Sequence, residues 1–160
     1  MRRAPLRFSA RLAVSATIVS SLMVTAVLPV RADHTEVHRV AGVAKNQIGD
    51  PWVWAATGPD AFDCSGFVYF VFKGAGVLDR IGGSRRTARG YWDWFADRGR
   101  ASRSAAQRGD LVIWGDGRHI GIYLGRGRAI SALTSGVRIH DVDDLTLSFT
   151  TFLHVRLERG

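Results

Sequence analysis

The sequence predicts an α+β domain, with helices in the first half of the folded region and an antiparallel sheet in the second. Three observations lead there. Apolar residues recur at helical spacing up to about residue 98. After Gly109 the pattern changes to short apolar runs of five to seven residues, joined by Gly- and Asp-rich connections. The two kinds of segment are segregated along the chain rather than alternating.

The chain opens with a leader. MRRAPLRFSAR is basic, LAVSATIVSSLMVTAVLPV is apolar, and Val30-Arg31-Ala32 fits a small-x-small processing site. This predicts a secretory signal over residues 1–32, cleaved after Ala32, and a single domain over 33–160. The competing reading is an uncleaved anchor, because the 19 residues Leu12 to Val30 approach a span of about 20. Five Ser/Thr residues and Pro29 dilute that stretch and favour cleavage. Either way the domain is expected outside the cytoplasm, secreted or associated with the cell wall.

The formal charge of +8 first suggests a polyanion partner. Five of the 22 basic residues (Arg2, Arg3, Arg7, Arg11, Arg31) lie in the leader, with no acid. Without them the balance is 17 basic to 14 acidic residues, a net +3. No basic-aromatic stripe stands out, so no nucleic-acid partner is predicted.

Within the domain, TEVHRVAGVAKNQI (35–48) places Val37, Val40, Ala41, Ala44 and Ile48 at helical spacing, and Gly49 ends the helix. DPWVWAATGPDAF reads as a loop. Asp63 is a candidate N-cap for a second helix, Cys64 to about Lys73, apolar nearly all round and therefore buried. Residues 84–98 give a third helix. Five strands follow as a meander: 110–114, 119–125, 128–133, 136–142 and 152–157.

Cys64 is the only cysteine, so it has no disulfide partner in its own chain. It is either an inert buried thiol or a reactive one. The first turn of a helix offers unpaired N–H groups and the positive end of the dipole. Both favour a thiolate, so a lowered thiol pKa is expected. The same N–H groups suit an oxyanion. Of the histidines, His34 and His38 lie in the tail and first helix. His140 and His154 lie in late strands with no Gly or turn signal beside them. His119 follows the loop GDGR and starts a strand, so its ring can project into a cleft. No metal-ligand spacing is present, and no cofactor is expected.

PWVWAATGPDAFDCSGFVYFVF, RGDLVIW and RHIGIYLGRGRAISA, in that order, resemble the three motif blocks of the NlpC-type cell-wall cysteine peptidases. The likeness runs from about Ala41 to Leu157. It implies a papain-like fold, with the nucleophile at a buried helix N-terminus packed on the C-terminal sheet. It implies Cys64 as nucleophile, His119 as base and then acid, and Ser131, twelve residues on, in the third catalytic place. A hairpin turning near Gly125–Gly127 puts 119 and 131 on one face of paired strands. Trp52, Asp63 and Ser65 are expected at the substrate.

Four positions depart from the family pattern. Ser131 stands where a histidine is usual, Trp52 where a tyrosine is usual, and Ala55-Ala56 where two glycines are usual. The implied activity is a secreted endopeptidase cutting peptidoglycan stem peptides, at a D-glutamyl–diamino acid bond. It would act as a monomer with no stable membrane association once the leader is removed. The alternatives are a wall- or partner-binding domain impaired in catalysis, and an amidase or acyl-transfer enzyme of the same fold.

Overall fold

A computed structural model describes residues 35–160. The expected leader, residues 1–32, lies outside the described residues. Three α-helices precede a six-stranded antiparallel sheet. The helices are α1 (Glu36–Lys45), α2 (Cys64–Gly74) and α3 (Ala88–Ala96), with a 3-10 turn at Leu78–Ile81 between α2 and α3. Side chains cap each helix start. Thr35 accepts from the His38 N–H, Asp63 from the Gly66 N–H and Thr87 from the Gly90 N–H.

The strands are β1 (Ala101–Ser102), β2 (Leu111–Trp114), β3 (His119–Gly125), β4 (Arg128–Leu133), β5 (Gly136–Asp141) and β6 (Phe149–Leu153). Strands β2 to β5 form the expected meander. The sheet order, however, is β1-β6-β2-β3-β4-β5. The last strand therefore returns past the meander to pair with β2 and with the unforeseen β1.

The final strand also runs over 149–153 rather than 152–157. Its ladder ends because Asp110 captures the Val155 N–H at 2.9 Å, while the His154 N–H turns to the Arg100 carbonyl. Asp110 is almost fully buried and also accepts from the Gln107 N–H and His154 Nδ1, at 2.9 and 3.0 Å. The Gly109-Asp110 step is thus a joint between strand ends.

Apolar alternation along the strands builds two cores. Ile113, Ile120, Ile122 and Ile130 pack on one sheet face with Phe67, Val68, Val71 and Phe72 of α2. Val112, Trp114 and Ala129 pack on the other, beneath Leu145, Leu147 and Phe149. The first cluster buries α2 against β3 and β4, which holds the start of α2 near the start of β3. Among the described residues no helix is long and apolar enough to cross a membrane.

Candidate active site

Cys64 is the first residue of α2, and its position depends on the loop before it. Gly66 packs so closely on that loop that a Cβ would stand 2.0 Å from the Ala56 carbonyl oxygen. The Asp63 N–H donates to the same carbonyl at 3.0 Å. The Asp63 carboxylate accepts from the Gly66 N–H (2.6 Å), the Ser65 hydroxyl (2.9 Å) and Arg85 Nη2 (2.6 Å). Asp63 is therefore a cap tied to Arg85, and Ser65 spends its proton on that cap. Both residues line the cavity with their polar atoms already engaged.

The Cys64 thiol is largely buried. Burial pushes its pKa up, against the pull of N–H groups from Ile120, Ser65 and Cys64 itself, and the Asp63 charge adds to the rise. The expected lowering is thus overturned: desolvation outweighs the helix N-terminus. His119 shifts the opposite way. Burial, helped by the neighbouring His140, lowers its pKa to about 4. The resting pair is a neutral thiol and a neutral imidazole.

Cys64 and His119 line one cavity of about 970 Å³. They are not hydrogen-bonded to each other. His119 bonds through Nε2 to the Ser131 hydroxyl at 2.9 Å. Its Nδ1 has no hydrogen-bond partner among the described residues. The direct His119–Ser131 contact agrees with the hairpin geometry and needs no bridging water. Gly121 makes room for it, since a Cβ there would lie 2.8 Å from Ser131 Cβ.

Sequence reasoning missed what stands behind Ser131. The Ser131 hydroxyl also meets His140 Nε2 at 2.8 Å, and His140 Nδ1 meets the Asp141 carbonyl at 2.9 Å. Strand register supplies the signal. Ser131 pairs with Arg138 across β4 and β5, so His140 is its diagonal neighbour on the same face. Trp114 packs against both imidazoles, with ring centroids 5.4 and 5.5 Å away.

The cavity wall is aromatic and basic. Trp52 lines it as expected, beside Trp54, which is 79% exposed and 6.4 Å away by ring centroids. Ala55, the next residue, holds φ at 63°. Arg85, Arg86, Arg118 and Arg138 also line the cavity, against Asp63 as the one acid. No group of three or more His, Cys, Asp or Glu side chains among the described residues is placed to hold a metal ion.

Residues 49–156 match the sequence profile of the NlpC/P60 family. The chain is 39% identical over 102 residues to a probable endopeptidase p60 of Listeria grayi, covering 62% of this chain and 18% of that protein. It is 35% identical over 118 residues to the murein DD-endopeptidase MepH of Escherichia coli, covering 68% of this chain and 42% of that one. The chain thus spans less than half the length of either relative.

Two solved structures share the architecture. The NlpC/p60 domain of the peptidoglycan hydrolase SagA superposes with a TM-score of 0.57 at 29% identity, over 74% of this chain and 98% of that one. The peptidoglycan hydrolase RipB of Mycobacterium tuberculosis gives 0.56 at 29%, over 78% and 64%.

Proposed function

The chain belongs to the NlpC/P60 family, and we propose that it is an exported cysteine endopeptidase that hydrolyses peptidoglycan stem peptides at a D-glutamyl–diamino acid bond. The observation that carries this is the cavity itself. A lone thiol at a helix N-terminus and an imidazole with one nitrogen unpartnered among the described residues line a cleft walled by tryptophan and arginine. The arginines suit the carboxylates of an acidic stem peptide. The fragment match to longer relatives and their names support the same substrate class.

In the reaction, His119 Nδ1 takes the Cys64 proton as sulfur bonds to the amide carbonyl carbon. The carbonyl oxygen becomes an oxyanion facing the Cys64 backbone N–H. His119 then passes its proton to the leaving nitrogen, the C–N bond breaks, and a thioester remains. Water gives a proton to His119 and attacks the thioester, and the sulfur leaves to recover its proton. Residues 1–32 would export the chain, with cleavage after Ala32, and the released domain acts as a monomer at the wall.

Cys64→Ala should abolish release of soluble fragments from purified peptidoglycan, and undiminished release would reject the assignment. Mass analysis of the fragments identifies the bond, because each cut leaves different termini. Sedimentation with the wall and no fragments from the unsubstituted protein would establish the binding-domain alternative instead.

A further inference from the structure

We propose that His140 is a positioning residue that acts through Ser131 to hold His119 in the tautomer able to accept the thiol proton; this rests on the hydrolase reading above. The argument follows donors and acceptors along one chain of contacts. The Asp141 carbonyl can only accept, so His140 Nδ1, 2.9 Å away, carries the hydrogen. In neutral His140 the other nitrogen, Nε2, is then a bare acceptor. It lies 2.8 Å from the Ser131 hydroxyl, which donates to it.

Ser131 has a single proton to give. Having given it to His140, its oxygen accepts from His119 Nε2–H at 2.9 Å. Neutral His119 therefore keeps Nδ1 unprotonated, and Nδ1 is the nitrogen without a partner among the described residues. A carbonyl on one side of the sheet edge thus fixes the proton position on the ring that shares a cavity with Cys64.

The opposite arrangement fails on satisfaction. If both rings donated to Ser131, its own proton would have no acceptor, and Ser131 is fully buried. If Ser131 donated to His119 instead, His119 would carry its hydrogen on Nδ1 and would be no base toward the thiol. Trp114 packs against both rings, tilted 43° to His119 and 52° to His140, and its own Nε1–H is anchored on the Val142 carbonyl at 2.7 Å. The usual third histidine is thus replaced by two residues, a short hydroxyl at 131 and a ring one strand further on.

The test is the protonation of the His119 ring nitrogens, read by long-range proton–nitrogen correlation in the labelled full chain, beside turnover of a stem peptide. The unsubstituted protein should show hydrogen on Nε2 and none on Nδ1. His140→Phe keeps ring bulk against Trp114 but removes the acceptor. It should mix or reverse the His119 tautomers and lower kcat about 10-fold or more at unchanged KM. His140→Gln, whose carbonyl oxygen can accept from Ser131, should recover most of both. Hydrogen on Nδ1 in the unsubstituted protein would overturn the relay, whether or not the variants fold. So would a His140→Phe protein with unaltered tautomer and kcat. Absence of hydrolysis by the unsubstituted protein would sink the hydrolase reading alone, with the nitrogen assignment still deciding the relay.

Discussion

Cys64 and His119 are pushed apart on the pH scale by the same cause. Burial disfavours the charge on each, raising the thiol and lowering the imidazole to about 4. The pair therefore holds one proton, on sulfur, across neutral pH. The acid limb of kcat/KM, which reports the free enzyme, should fall near pH 4 as His119 takes a proton. A limb centred near the ordinary histidine value would show that the ring is solvated. Alkylation of Cys64 by iodoacetamide should be slow at pH 7 and accelerate only in alkaline solution. Both candidates were readable from the chain, and the fold lines one cavity with them; their titration was not readable. Helix-end electrostatics predicts a thiolate, and the burial that defeats it arises only when the chain folds.

Among the elements, the loop that leads into α2 carries a local conflict. Ala55 holds φ at 63°, in the region that disfavours a Cβ. The family's glycine would occupy it without strain. Ala55→Gly should raise stability by about 0.5–1 kcal/mol, the steric relief being partly offset by unfolded-chain entropy. Urea unfolding measures it, and a loss of stability would show that the loop is set by packing of the Ala55 methyl. The helices were readable because their signals are local: apolar spacing in α1, and in α2 the Asp63 cap, which bonds three residues ahead. The last strand was misread because its end is set by Asp110, 45 residues earlier in the chain.

For the molecule as a whole, one buried carboxylate joins the two ends of the described chain. Glu36, in α1, accepts from Arg80 Nη2 and from the Glu158 N–H, both at 2.9 Å. The Arg80 hydrogen bond, opposed by burial, holds its pKa below the usual carboxylate value. A depressed carboxylate stabilises the fold above its unfolded pKa, and that contribution is lost as pH falls through the folded value. Glu36→Gln should cost about 1–2 kcal/mol at pH 7, a few degrees in Tm. The gap should close on acidification below about pH 4.5, the ordinary value for a free glutamate. A gap independent of pH would mean that shape, not charge, holds the join. His119 acts in a separate window: between its unfolded value near 6.5 and about 4, the unfolded chain binds the extra proton, so stability is lost as pH falls through that range.

Order and local chemistry were determined by the sequence alone. Helices precede strands, a capped thiol opens a buried helix, and a histidine starts the strand after a tight loop. Each follows from residues within a few positions of one another, where periodicity, capping and turn preference act. Only the tertiary structure decided that β6 closes the sheet beside β2 and that the thiol is neutral. It also decided that Ser131 is supported by His140. Those features depend on which faces desolvate each other and on strand register. Both are set by packing between segments that the chain does not make neighbours.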